Sequence, residues 1–278
     1  MNRIDFCGII VAEKCNPNGD PLNGNMPRQD FSGHGIMSDV CLKRKIRDRL
    51  YDNGHDIFVV RQENLKDDNK SLKDRVTKNP ELKDAMKKKD DKLFFELACQ
   101  KWIDVRAFGQ VFAFTKDGSG VSESVRGPVS IGQAVSLDVV NILNVGITKS
   151  VNTNDAKGES AKASDTMASR YMIDRGAYVF RGSIYPQLAE KTFFTYKDAM
   201  AIKDAILHMF QNDISQCRPS GSMTLDKLYW WEHNCPTGQY SPIKVFHSLH
   251  LEPTDTYPYY TDSLEELPGL EAEICEGW

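Results

Sequence analysis

The stretch "IDFCGIIVA", residues 4–12, limits the fold more than any other part of the chain. Rich in Ile, Val and Phe and without polar alternation, it fits a strand buried on both faces, so other parts of the chain must cover both sides of its sheet. Soon after comes "CNPNGDPLNGNMPRQD" (15–30), with three prolines, four asparagines and two glycines. Pro presets φ and Asn or Gly tolerates φ > 0, so this is a loop. A turn takes about two to five residues, and a loop roughly three times as long invites a use beyond connection.

The segment "SDVCLKRKIRDRLYDNG" (38–54) is predicted as a helix: Ser38 caps it, Asp39 suits its first turn and Gly54 lies just past its end. Leu42, Ile46, Leu50 and the Arg49 stem gather on one face, Lys43, Arg44 and Arg47 on one flank and Lys45 on the other. Such a charge run is equally a solvated face. Residues 61–92 are highly charged and weakly periodic, which reads as an exposed helical insertion. "KWIDVRAFGQVFAF" (101–114) returns to strand character with Gly109 as a bulge, and the odd-numbered apolar positions from Val125 to Val139 give the period of two of a half-buried strand, at an edge or beginning at Pro128.

Two further strands, 143–151 and 170–185, flank the polar stretch "NTNDAKGESAKASDTMAS", an extended hairpin. A second helix is expected over about 196–212, with a Thr195–Asp198 capping box and Ala199, Ile202, Ile206, Met209 and Phe210 as its apolar stripe. "KLYWWEH" supplies a last strand. The resulting β-α-β-β-α-β order is the ferredoxin-like arrangement shared by RNA-recognition folds.

Seven cysteines without a C-x-x-C pair argue against a disulfide framework or zinc ribbon. The start is too short and mixed for a signal peptide and no long apolar window exists, so a cytoplasmic protein is expected. The net charge of −4 conceals an asymmetry: residues 250–278 carry eight acidic side chains and no Lys or Arg, an acidic C-terminal tail. The remaining body holds 35 basic side chains against 31 of the 39 acidic ones, a net of +4, which permits nucleic-acid binding without requiring it.

Standard enzyme signatures (G-x-S-x-G, a Walker loop, a Rossmann fingerprint) are missing. His247, His250 and Cys235 lack a fourth partner for zinc, so no metal or other cofactor is expected. His34, between two glycines, is the best acid–base candidate for a metal-independent ribonuclease, and Asp30 and Asp39 are candidates for metal-dependent cleavage, although Asp39 is better explained by its place at a helix start.

Seven motifs in order carry a resemblance: "NPNGDP", "GNMPR", "HGIMSDVCLKRKIRD", "DVRAFGQVFAF", "VRGPVSIGQAVSLD", "ITKSVNT" and "DRGAYVFRGSI". Together they resemble the backbone subunit of the CRISPR Cascade effector, closest to the subtype I-C form, of the repeat-associated mysterious protein superfamily. The likeness covers most of the chain and is thin in 61–100 and after 250.

The resemblance implies an α+β fold. A modified ferredoxin-like, RNA-recognition palm forms a single domain over 1–278, with helical fingers inserted at 55–100 and a β-hairpin thumb at 144–172. It implies a noncatalytic protein whose copies stack along guide RNA and present it to target DNA, with guide-processing, large and small subunits as further partners. In such a palm the loop leaving the first strand lies beside the RNA, which makes Asn16, Asn18 and Arg28 the candidates there. The palm helix adds Lys43, Arg44, Lys45 and Arg47, and the thumb Lys149, Met167 and Arg170. Met167 either presses on a nucleobase or packs on the base of its own hairpin.

The sequence departs from the family at "MASRY" (167–171), where relatives carry a Gly-Arg-Lys-His-like run; only Arg170 keeps the charge. Type III relatives cut RNA with a loop aspartate, a part that Asp30 would take here, whereas type I backbones are not nucleases.

Overall fold

A computed structural model describes all residues except 66, 117–118 and 149–166. Strand β1 (Ile4–Cys15) leads through a small hairpin, β2 (Gly19–Asp20) and β3 (Met26–Pro27), to β4 (His34–Met37) and helix α1 (Asp39–Asp52). A 3₁₀ turn at Gln62–Asn64 precedes α2 (Leu72–Thr77), α3 (Pro80–Lys88), α4 (Asp91–Lys101) and α5 (Ile103–Phe108). Then come β5 (Gln110–Lys116), β6 (Ser119–Val125), β7 (Val129–Ile131), β8 (Ala134–Val139), β9 (Ile142–Thr148) and the long β10 (Met167–Ile184). The chain closes with α6 (Pro186–Thr192), α7 (Tyr196–Leu207), β11 (Met223–Glu232), α8 (Pro242–His247), β12 (Leu249–Pro253), β13 (Tyr260–Leu264) and β14 (Ala272–Glu276).

The main sheet runs β14-β11-β1-β10-β8-β4, with β7 and β9 also on β10, and its pairings are antiparallel. β1 is central, as its composition requires. Its Ile4, Phe6, Ile10 and Ala12 face α1, α5 and α7, whose Leu42, Ile46, Ile103, Ile202 and Ile206 complete that core. Its Cys7, Ile9 and Val11 face a second core closed by Val245 of α8, Leu249 of β12 and Tyr260 of β13. Two glycines make the first core fit. Gly8 stands opposite Phe180 and Gly182 opposite Phe6, and a Cβ on either glycine would sit 2.3 Å from the ring across from it. Each Phe ring therefore fills the space that a Cβ would take on its neighbour strand.

The α1 prediction holds for its cap and its apolar face: Ser38 Oγ accepts the Cys41 N–H, and Leu42, Ile46 and Leu50 are buried. The α7 capping box is present in both halves. That helix stops at Leu207 rather than about 212, although Met209 is still buried in the core by the turn that follows.

Three expectations change. Residues 103–108 form helix α5, not strand, and Gly109, at φ +82°, ends it where a Cβ would meet the Val125 carbonyl oxygen at 2.4 Å. The strand character of the sequence arises because α5 is buried on two sides: Ile103 and Ala107 enter the sheet core, while Trp102 and Val105 enter a separate one. That separate core, with Phe58, Val76, Leu82, Phe94 and Phe112, gives the 61–92 insertion an interior of its own.

The period of two over 125–139 is broken into three strands. Val129 and Ile131 are buried, but after Gly132–Gln133 the phase flips, so Ala134 and Ser136 are buried and Val139 is exposed. The acidic stretch 250–278 supplies β12, β13 and β14, with Lys203 on Glu273 (2.6 Å) and Lys227 on Asp262 (2.7 Å). β9 and β10 pair from Thr148↔Met167 to Ile142↔Ile173; the expected hairpin tip lies outside the described residues.

Candidate nucleic-acid interface

The long loop is folded rather than free. Beyond the β2–β3 pair, Arg28 N–H donates to the Asn18 carbonyl and Ile36 N–H to the Arg28 carbonyl, laying 28–30 along the outer edge of β4. Asn16 is buried rather than solvent-facing: its Nδ2 donates to the Asn25 carbonyl at 2.7 Å, closing the loop on itself. Asn18 Oδ1 accepts the Ser38 N–H (2.9 Å) just ahead of α1, and Arg28 Nη2 holds Asp20 at 3.2 Å. Loop, hairpin and helix start are thereby one hydrogen-bonded unit, with Arg28 at its half-open surface.

The α1 cations separate into two kinds. Lys43 pairs with Asp39 (2.9 Å), one helical turn away, an arrangement that contributes little and exchanges easily for a stronger anion. Arg44 likewise pairs with Asp48 (2.7 Å), but its Nε and Nη2 are buried and Asp48 is shared with Arg61 at 2.9 Å. Lys45 and Arg47 point inward. The Lys45 side chain is 3% exposed and bonded to Asp213, and burial lowers its pKa while Asp213 pulls the other way. Arg47 Nε donates to Asp104 Oδ2 at 3.1 Å, with its guanidinium over the Phe108 ring. Asp104, itself buried, also accepts the Phe58 and Val59 N–H groups, so one carboxylate joins α1, α5 and the insertion.

Of the thumb candidates, Arg170 stands on β10 opposite Val145, with Nη2 3.4 Å from Gln216 Oε1. Met167 begins β10, its side chain outside the described residues, as is Lys149 altogether. The structure thus gathers Asn18, Arg28 and Lys43 around the junction of loop and α1, turns Arg44 along the helix to Asp48 beside Arg61, and withdraws Asn16, Lys45 and Arg47 into the fold. Asp104 and Asp213 were missed from the sequence: they lie 57 and 168 positions from their cations, and no local pattern marks such pairs.

The acid–base candidates are engaged. His34 Nδ1–H donates to the Ser136 carbonyl (2.9 Å), Asp30 Oδ1 accepts the Ser32 and His34 N–H groups, and Asp39 holds Lys43. Among the described residues no group of three His, Cys, Asp or Glu is placed to hold a metal ion, and no helix is long and apolar enough to cross a membrane.

Residues 2–266 match the model of the family described as CRISPR-associated protein Cas7. The chain is similar to a CRISPR-associated protein Cas7 of Haloferax volcanii, 29% identical over 215 residues, which make up 71% of this chain and 61% of that relative. It spans about three-fifths of the relative's length. Its fold resembles a chain of a solved structure titled "CRISPR RNA-guided surveillance complex, pre-nicking", with TM-score 0.50 and 14% identity, covering 86% of this chain and 83% of the other.

Proposed function

The chain belongs to the CRISPR-associated protein Cas7 family, and on that premise we propose that it is the noncatalytic backbone subunit of a type I CRISPR surveillance complex, of subtype I-C, in the cytoplasm. Copies line up along guide RNA, hold it by phosphate and ribose, and leave its base edges free to pair with target DNA. Guide-processing, large and small subunits are its other partners.

The family match over nearly the whole chain carries this reading. The architecture supports it. Strands β11-β1-β10-β8 with α1 and α7 on one face follow the ferredoxin-like order and make the palm. The helical unit with its own core, within 55–100, makes the fingers, and the β9–β10 ribbon within 144–172 the thumb. An open RNA-recognition sheet presents one bare face, but here α8, β12 and β13 cover that face, so 250–278 belongs to the palm and the guide lies along the loop and α1. Asn18, Arg28, Lys43 and Arg44 make the contacts, with Arg170, Lys149 and Met167 from the thumb; Asn16, Lys45 and Arg47 hold the contacting residues in place.

The test is co-expression with a CRISPR array and the partner subunits. RNA of one defined length, bound irrespective of spacer sequence, is expected. Recovery without RNA, or metal-dependent RNA cleavage that vanishes in Asp30→Ala, would overturn the reading.

A further inference from the structure

The chain contains three Asn-Gly pairs, Asn18–Gly19, Asn23–Gly24 and Asn53–Gly54. In such a pair the following backbone nitrogen can approach the Asn carboxamide, because glycine has no Cβ to obstruct it. The fold treats the three pairs differently. Asn18 is clamped: its Oδ1 accepts the Ser38 N–H (2.9 Å), and the Asn25 side chain occupies the place of a Cβ on Gly19. Asn53 closes the end of α1, where its Nδ2 donates to Asp204 Oδ2 (2.8 Å) and the Gly54 N–H donates to the Tyr51 carbonyl (3.0 Å). Asn23 has neither restraint. It is exposed at the tip of the β2–β3 hairpin, in a turn closed by the Met26 N–H on its own carbonyl, with Gly24 at φ +56° and Asn25 at φ +59°. Among the described residues neither its carboxamide nor the Gly24 N–H has a hydrogen-bond partner. The space over Gly24 is open as far as the Tyr171 ring, 3.9 Å from where a Cβ would stand.

We infer that Asn23 is a modification site at which the folded chain deamidates itself, with water as the only co-reactant. The Gly24 nitrogen closes on Asn23 Cγ. The Cγ–Nδ2 bond breaks, and the amide leaves as ammonia with the proton that the Gly24 nitrogen gives up. Water then opens the cyclic imide at either carbonyl, to aspartate or to isoaspartate, and nothing is oxidised or reduced. Both products add a carboxylate to the tip, and isoaspartate also reroutes the backbone through the side-chain carbon. The tip is tied to the rest of the loop. The Asp20 carbonyl accepts the Asn23 and Asn25 N–H groups, the Asp20 carboxylate holds Arg28, and the Asn25 carbonyl accepts the buried Asn16 Nδ2. A change at Asn23 is therefore felt where Arg28 meets solvent, and the added charge repels a phosphate there. That consequence, unlike the modification, rests on the RNA-binding reading above.

Peptide mass mapping of the full chain, held in mildly alkaline buffer either folded or unfolded in urea, tests the site. In urea the three pairs should react at comparable rates. In the folded chain Asn23 should react several-fold faster than Asn18 or Asn53, giving aspartate and isoaspartate together and taking up oxygen from isotopically labelled water. Asn23→Gln, whose longer side chain closes the ring poorly, should remove both products. If folded protein converts Asn18 or Asn53 as fast as Asn23, or spares Asn23 while unfolded protein reacts, the site is refuted. Aspartate without isoaspartate would refute ring closure through Gly24. In a second arm, fluorescence anisotropy with a single-stranded RNA of mixed sequence compares wild type with Asn23→Asp, which brings the charge without the altered backbone. Weaker binding by Asn23→Asp, with the difference fading as salt rises, is expected. If wild type binds and Asn23→Asp matches it, the consequence for binding is refuted while the RNA reading stands. If wild type binds no RNA, that reading fails and the mass mapping alone decides the site.

Discussion

At the scale of single residues, the molecule sorts its charges by depth. Asp104 serves three donors from two segments, α1 and residues 58–59, so removing it strands two backbone N–H groups and a guanidinium in the interior. Asp104→Ala should cost about 3 kcal/mol, read as a lower urea midpoint, because breaking a buried pair leaves uncompensated polar groups. Lys43→Ala, by contrast, should leave the midpoint within about 0.5 kcal/mol, since its i,i+4 partner is solvated. Asp198 gives a pH signature. Burial works against its charge, but Arg106 (2.7 Å) and the Thr195 bonds outweigh that and hold its pKa below the ordinary value. A depressed folded pKa stabilises above the unfolded value of about 3.9 and is lost as pH falls through the folded one. Asp198→Asn should therefore lower stability at neutral pH and flatten its decline below about pH 4, measured by thermal melts at stepped pH.

At the scale of elements, legibility followed how local the cause is. The α1 and α7 caps were readable because each is a contact within three residues, Ser38 to Cys41 and Thr195 to Asp198. Helix α5 was misread because two cores claim opposite sides of it, and burial on two sides gives a short helix the apolar density of a strand. The phase flip after Gly132 and the inward turn of Lys45 and Arg47 depend on partners far along the chain, which spacing cannot reveal. The Phe6–Gly182 and Gly8–Phe180 crossing could have been noticed as matching "FCG" and "FRG" runs, but only register pairs them. Gly8→Ala forces its Cβ into the Phe180 ring and should destabilise by about 1–3 kcal/mol, the usual range for overpacking a close-packed core. The insertion's separate interior predicts separable stability. Phe94→Ala should raise amide exchange in α3 and α4 while β1 and β10 stay protected.

At the scale of the whole molecule, the proposed role has to meet one constraint: the second face of the sheet is covered. Bases cannot stack on β1 and β10 when Val245, Leu249 and Tyr260 already pack there, and the proposal therefore puts the strand on the loop–α1 surface and the β9–β10 ribbon. That surface offers cations, amides and backbone groups, and none of its contacts depends on a particular base edge. Binding there is expected to be indifferent to sequence and sensitive to salt. The pair Lys43→Ala and Arg44→Ala should thus weaken binding to unrelated single-stranded RNAs by the same factor, each change lowering the salt slope by about 0.7. Anisotropy titrations on several sequences over a salt series give both numbers. A loss confined to one sequence would mean that α1 reads bases, which would count against the proposed role of holding every guide alike. An unchanged slope would mean that Asp39 and Asp48 keep these cations for themselves and that the strand runs elsewhere. A uniform loss with the shallower slope is the outcome expected from the proposed role, since the carboxylates that Lys43 and Arg44 hold, Asp39 and Asp48, lie on the same helix and would have to give way to a phosphate.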